Sequence, residues 1–124
     1  MIRRSTTLLL FAVLFVSGVY AQKTAKISFW ETTHNFGSFS EKLGSVSCVF
    51  SFVNTGDAPL IITRATASCG CTRPEFPMQP VAPGDSGQIK VTYNAVGRPG
   101  SFEKNISVYA NTDPERTTLI LKGS

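Results

Sequence analysis

The chain has 124 residues with 12 basic and 8 acidic side chains, which gives a formal net charge of +4. This length suits one domain with a single apolar core. Two of the basic residues lie in a leader that we predict to be removed, and the remaining Lys and Arg form no cluster. Composition therefore gives no indication of nucleic-acid binding.

The N-terminal segment has the three parts of a secretory signal peptide. Arg3 and Arg4 form a positive region, an apolar core follows over residues 8–16, and Ala21 is a small residue at a suitable cleavage position. This apolar core is shorter than the roughly 20 residues that span a bilayer. We therefore predict a signal helix over residues 1–21, a mature domain over residues 22–124 without a membrane span, and a periplasmic or secreted location.

The mature segment alternates strand-like runs with turns and has no helical periodicity. Its clearest strand is Val46 to Val53, in which Val46, Cys48, Phe50 and Phe52 share one face. Four prolines between residues 74 and 83 exclude a helix or a central strand there. About seven strands are predicted, over residues 26–31, 33–39, 46–53, 60–63, 88–93, 102–110 and 117–122. Short strands separated by turns favour an antiparallel β-sandwich with Greek-key links.

Three side chains near these strands need separate predictions. Lys104 interrupts the apolar face formed by Phe102, Ile106 and Val108, so we expect it near an edge of the sheet. Phe29 and Trp30 lie in the first strand. We expect both aromatic side chains to pack in the core or against a sheet edge rather than to form a platform for a ligand.

The stretch from about Thr33 to Gly123 resembles the DUF1573 family of exported bacterial domains. The resemblance rests on the motifs His34-Asn35-Phe36-Gly37, Asn54-Thr55-Gly56-Asp57, Ser68-Cys69-Gly70-Cys71-Thr72, Pro83-Gly84-Asp85-Ser86-Gly87 and Gly97-Arg98-Pro99-Gly100. It implies an immunoglobulin-like sandwich, similar to the major-sperm-protein and cilia-associated (ASH) domains that serve as binding modules, and it implies no activity. Two positions depart from the family pattern: Asn35 replaces a common Asp, and Cys48 replaces a His found in many members.

Three cysteines in an exported chain leave at least one unpaired within the chain. One alternative is a disulfide from Cys48 to Cys69 or Cys71, which closes a loop of roughly 20 residues and stabilises the fold by about 3 kcal/mol. A second is a Cys69–Cys71 disulfide, which requires an unusual bend. In a third, the cysteines remain reduced or partly paired and only pack.

The fourth alternative is a soft-metal site. Thiolates at Cys69 and Cys71 could bind copper or zinc, with Cys48 or His34 completing the ligand set. No other cofactor is expected. Thiol catalysis lacks a clear base, because His34 is the only histidine and lies about 35 residues upstream, although Arg73 could activate a cysteine if it folds back.

Taken together, the residues favour a non-catalytic interaction or structural module of the cell envelope, and we expect no enzyme activity. Its partner would be an envelope protein or a second copy of the chain. A periplasmic copper- or zinc-binding protein that uses Cys69 and Cys71 is the first alternative, and a thiol redox protein is the second.

Overall fold

The computed structural model describes residues 22–124. The predicted signal helix over residues 1–21 lies outside the described residues. Within the described part of the chain, no helix has the length and apolar character needed to cross a membrane.

Residues 22–124 form eight β-strands and one 3₁₀ turn at Glu41–Leu43. The strands are β1 (Ile27–Phe29), β2 (Thr33–Asn35), β3 (Ser45–Asn54), β4 (Ile62–Ala67), β5 (Thr72–Glu75), β6 (Ser86–Asn94), β7 (Phe102–Ala110) and β8 (Arg116–Gly123). The predicted all-β fold is confirmed, with one strand more than the sequence indicated.

The strands form two four-stranded sheets packed face to face. The first sheet has the order β1-β3-β6-β5 and the second has the order β2-β8-β7-β4. All neighbouring strands are antiparallel except β2 and β8, which are parallel. The chain passes between the sheets from β1 to β2 at one edge of the sandwich and from β4 to β5 at the other.

The core lies between the sheets because the strands alternate inward apolar and outward polar side chains. On β3, Cys48, Phe50 and Phe52 point inward, as predicted, and they lie opposite Val91, Ile89 and Gly87 of β6. The second sheet supplies Ile106 and Val108 of β7 and Leu119 and Leu121 of β8. These residues belong to one continuous buried cluster.

Two strand predictions need correction. The predicted strand at residues 60–63 begins later, as β4 at Ile62, and Leu60 instead forms a single bridge with Val81. The sequence also did not predict β5, which contains Pro74. Pro74 is accommodated because β5 is an edge strand with hydrogen bonds to β6 alone, and a proline that lacks an N–H is tolerated at an edge.

The Asn54-Thr55-Gly56-Asp57 turn attaches the N-terminal segment to the sandwich. The Asn54 side chain is fully buried; it donates to the carbonyls of Ala58 and Val81 and accepts from the Gly56 N–H. The Asp57 carboxylate accepts from the Thr24 N–H at 2.7 Å. This motif is therefore explained by hydrogen bonds that hold the fold together rather than by a ligand.

Candidate functional site

Cys69 and Cys71 lie where the chain passes from β4 to β5, at one edge of the sandwich. Their Cα atoms are 5.3 Å apart and their sulfurs form a disulfide. Cys69 is half-buried, whereas Cys71 is only 4% exposed. Between them, Gly70 is exposed, and a Cβ built on it would meet no atom within 4 Å. The pair is thus reachable from solvent on the Cys69 side.

Cys48 remains a free, buried thiol on β3. Strand β6 lies between β3 and β5, so Cys48 is two strand spacings, or about 10 Å, from the strand that follows Cys71. A disulfide requires Cα atoms within about 7 Å. The predicted bridge from Cys48 is not formed in this structure. Burial raises the pKa of the Cys48 thiol to about 11, which keeps it protonated and unreactive near neutral pH.

The disulfide closes a very short loop, with a sequence separation of two residues. In the chain-entropy model, a loop of this size stabilises the fold by about 1.6 kcal/mol, compared with about 3 kcal/mol for the predicted long-loop bridge. Most of the stability must therefore come from the apolar core. The fold can persist when the Cys69–Cys71 bond is broken.

His34 lies at the opposite edge of the sandwich, on β2. Its ring packs edge-on against Phe36, with a centroid distance of 4.6 Å. Strands β8 and β7 separate it from β4, which leads to Cys69. Of the four predicted metal ligands, the structure brings together only Cys69 and Cys71. Among residues 22–124, no group of three or more His, Cys, Asp and Glu side chains is placed to hold a metal ion.

Arg73 does not fold back onto the cysteines. Its side chain is 77% exposed, and its guanidinium lies 3.9 Å from the carboxylate of Glu75 on the same strand. A basic residue that sequence reasoning did not connect with the cysteines is Lys104. Its signal was present in the sequence, because it interrupts the apolar face of β7.

The strand register places Lys104 beside the start of the loop that carries Cys69 and Cys71. Strand β4 pairs antiparallel with β7, with Ala67 opposite Ile106. The ladder continues past β4, because the Ser68 N–H donates to the Asn105 carbonyl at 3.3 Å. Beyond this bond the chain bends at Cys69 and leaves the sheet toward β5, while Lys104 is the next residue on β7. The half-buried Lys104 therefore lies beside the point where the cysteine loop leaves the ladder.

A second feature is the outer face of the first sheet near Trp30. The Trp30 N–H donates to the Ser51 carbonyl at 3.2 Å, but the Trp30 side chain is 67% exposed. The prediction of packing in the core is therefore wrong for Trp30, which lies next to the edge strand β1. The same prediction is correct for Phe29, whose ring packs edge-on against the buried Phe52 at 5.5 Å. The difference arises because Trp30 follows the last paired residue of β1.

We call this region the Trp30 face; it consists of Trp30, Val49, Ser51, Gln88 and Lys90. Val49 is 47% exposed, and Ser51 lies opposite Gln88 in the sheet. Shallow clefts flank the indole on both sides, one of about 400 Å³ toward Gln88 and one of about 180 Å³ toward His34. An exposed indole among short polar side chains is suited to binding a partner.

Comparison with known proteins identifies a family and a fold. A family model described as a protein of unknown function, DUF1573, matches residues 27–124. A search among curated proteins finds no match by sequence. Several solved structures share the fold.

Three of these structures show its range. The crystal structure of a protein of unknown function from Porphyromonas gingivalis W83 is 14% identical with a TM-score of 0.66, over 82% of this chain and 46% of that chain. The ASH/PapD-like domain of human CEP192 is 10% identical with a TM-score of 0.65, over 82% and 85%. The Vibrio cholerae VesB protease is 18% identical with a TM-score of 0.65, over 79% and 31%.

This chain thus spans less than half of the Porphyromonas protein and about a third of the protease. At such low identities the comparisons establish the fold alone. They confirm the prediction of an immunoglobulin-like sandwich that is similar in fold to ASH domains.

Proposed function

Since the chain belongs to the DUF1573 family, whose function is unknown, we propose from its own surface that it is a non-catalytic binding module of the cell envelope. The observation that carries the proposal is the exposed indole of Trp30 on the outer face of the first sheet. The occupant of this face is another envelope protein, and a second copy of the chain is the alternative that the test separates.

Leaving the indole of Trp30 in water costs free energy that a partner can recover. An indole side chain buries about 200 Å² when it is covered completely. With 67% of Trp30 still exposed, its covering by a partner would contribute about 3 kcal/mol at ~25 cal/mol per Å². Tryptophan is also among the residues that most often dominate the energy of protein interfaces. A single side chain could therefore control binding at this face.

The surroundings of Trp30 favour a protein partner over a membrane or a nucleic acid. Val49 adds apolar area beside the indole, while Ser51 and Gln88 supply hydrogen-bonding groups around it. An apolar centre with a polar rim is typical of protein interfaces. Lys90 is the one cation of the Trp30 face, whereas membrane and nucleic-acid surfaces are bound through several cations.

The test compares two exposed apolar side chains. Tagged wild-type protein, Trp30→Ser and Leu43→Ser are used to capture proteins from an envelope extract under identical conditions. Leu43 is the matched control because it is 65% exposed in the 3₁₀ turn before β3, at the end of the first sheet where Ser45 pairs with Asn94. We expect a captured protein that is lost with Trp30→Ser and retained with Leu43→Ser.

The captured protein is then purified and titrated into the wild-type chain. Trp30 is the only tryptophan in the sequence, so a blue shift of its fluorescence reports that a partner covers it. Where the partner contains tryptophan, labelling the partner separates its fluorescence from that of Trp30. Capture that is equal for all three proteins contradicts the proposal. Sedimentation over a range of concentrations tests the alternative, because a Trp30-dependent dimer would identify a second copy as the partner.

An extracytoplasmic location is part of the proposal. It is supported by the signal-like leader and by the Cys69–Cys71 disulfide, since disulfides persist mainly in oxidising compartments. Fractionation of cells that produce the full chain, with the mass of the protein in each fraction, checks both the location and cleavage before Gln22. An uncleaved protein in the cytoplasmic fraction would contradict it.

Metal binding is a second candidate, favoured by the proximity of Cys69 and Cys71 alone. After reduction, the two thiolates would offer soft ligands for Cu(I) or zinc. Reduced wild-type protein and Cys69→Ser are dialysed against each metal, and the bound metal is counted. One ion per wild-type chain and none in the variant would support the site, and equal contents would contradict it.

A further inference from the structure

We propose that the Cys69–Cys71 pair is a site of thiol–disulfide exchange with a dithiol, in which Cys69 is the sulfur that is attacked and Cys71 is the leaving group. This proposal is independent of binding at the Trp30 face. It rests on three features of the β4–β5 edge: unequal exposure of the two sulfurs, a hydroxyl beside the leaving group, and a cation on β7 beside the cysteine loop.

Unequal exposure decides which sulfur is attacked. Cys71 is 4% exposed, whereas Cys69 is half-buried and the neighbouring Gly70 leaves open space above the chain. Thiol–disulfide exchange requires in-line approach of a thiolate to one sulfur, so access controls the choice. An incoming thiolate reaches Cys69 and not Cys71.

The Thr72 hydroxyl stabilises the leaving group. Its oxygen lies 3.6 Å from the Cys71 sulfur in a buried position. When the disulfide opens, this hydroxyl can donate to the Cys71 thiolate, and a hydrogen bond to a charged group is stronger than one between neutral groups. A thiolate at a buried position is costly, and this hydrogen bond offsets part of that cost. The Cys71 N–H donates to the Cys69 sulfur at 3.1 Å, so access rather than hydrogen bonding makes Cys71 the leaving group.

Lys104 brings a positive charge to this edge. It lies on β7 two residues before Ile106, which pairs with Ala67 at the end of β4, and the ladder extends to Ser68 and Asn105. A cation beside the cysteine loop attracts an approaching thiolate. Lys122, by contrast, is exposed and lies opposite Glu103 on the adjacent strand pair, and so serves as the control cation.

The reaction is balanced by the dithiol alone. Its first thiolate bonds to the Cys69 sulfur, the Cys69–Cys71 bond breaks, and the electron pair leaves on the Cys71 sulfur, which takes a proton from water. The second thiol of the dithiol, after losing its proton, attacks its own partner sulfur and releases Cys69 as a thiolate, which is then protonated. Two electrons and two protons pass to the cysteine pair, and the dithiol becomes a disulfide.

The short spacing explains why a dithiol is the substrate. After a monothiol attacks, the Cys71 thiol remains two residues from the mixed disulfide on Cys69 and expels the monothiol again. A dithiol competes because its second thiol is equally close. Net reduction is therefore selective for dithiols.

The first experiment tests the asymmetry between the sulfurs. In a Cys48→Ala background, Cys71→Ser leaves Cys69 alone and Cys69→Ser leaves Cys71 alone. Both proteins are treated with oxidised glutathione, and formation of the mixed disulfide is followed by intact mass. We expect Cys69 to react at least about tenfold faster in the folded protein and at a similar rate in denaturant. Equal or reversed rates in the folded protein would overturn the proposal.

The second experiment measures the reduction of the intact disulfide by dithiothreitol in the folded protein. We expect Lys104→Gln to slow it about threefold and Lys122→Gln to change it by less than about twofold, because only Lys104 lies beside the cysteine loop. Thr72→Val should also slow it, with circular dichroism checking that each variant is folded. Equal rates for the two lysine variants, or no reduction of the folded protein, would overturn the proposal and leave binding at the Trp30 face untouched.

Discussion

The Asn54→Ala substitution tests whether one buried amide holds the N-terminal segment on the sandwich. Asn54 is fully buried at the end of β3. Its Nδ2 donates to the carbonyls of Ala58 and Val81 at 2.8 and 2.9 Å, and its Oδ1 accepts from the Gly56 N–H at 3.0 Å. A longer bond, from the Lys26 N–H to Oδ1 at 3.4 Å, joins the N-terminal segment to the same amide. Alanine removes all four hydrogen bonds and leaves their partners in place.

The cost can be worked from the partners that stay unsatisfied. The Val81 carbonyl still accepts from the Leu60 N–H at 2.9 Å and loses little. The Ala58 carbonyl and the Gly56 N–H lose their Asn54 partners, and each unsatisfied buried group costs about 1–3 kcal/mol. Partial exposure of this turn lowers the total, so we expect a loss of about 3 kcal/mol in the free energy of unfolding, or roughly 15 °C in the melting temperature.

Urea denaturation followed by circular dichroism measures this loss. The matched control is Asn94→Ala. The Asn94 Oδ1 also accepts from the N–H two residues later, that of Val96, at 3.0 Å, but this bond lies on the exposed surface. We expect the control to lose less than about 1 kcal/mol. If the two alanine variants lose equal stability, the buried hydrogen bonds of Asn54 are not what fixes this turn.

Three further predictions concern stability. Gly56→Ala should lower the free energy of unfolding by about 2–4 kcal/mol, because the backbone of the N-terminal segment occupies the space that a Cβ would need. Gly70→Ala, where a Cβ would meet no atom within 4 Å, should be nearly neutral, and denaturant titration compares the two variants. Burial raises the pKa of the Cys48 thiol to about 11, so the unfolded chain loses this proton at a lower pH than the folded protein does. The contribution of Cys48 to the free energy of unfolding is therefore complete below about pH 9 and falls by about 1.4 kcal/mol per pH unit toward pH 11. Thermal melts across this range should show that the wild type loses stability relative to Cys48→Ala. Trp30→Ala should change the free energy of unfolding by less than about 0.5 kcal/mol, whereas Phe52→Ala should lower it by about 3–5 kcal/mol. Similar losses in denaturant titration would show that Trp30 is part of the core.

The candidate sites show where prediction from sequence stopped. The cysteine motif was recognised, but four arrangements of its sulfurs remained open, because spacing along the chain does not reveal which strands separate Cys48 from Cys71. Lys104 was recognised as an exception on its strand, yet its position beside the cysteine loop depends on the pairing of β4 with β7. Trp30 was assigned to packing because the sequence does not reveal that β1 ends one residue before it.

The sequence by itself determined the sandwich, since alternating apolar side chains on β3, β6 and β7 can be buried only between two sheets. It also excluded a central strand from the proline-rich segment, because a proline cannot complete the hydrogen bonds of such a strand. Only the tertiary structure decided the parallel pairing of β2 with β8, the edge strand β5, the position of Lys104 beside the cysteine loop and the exposure of Trp30. These features depend on contacts between residues far apart in the chain, which local periodicity does not encode.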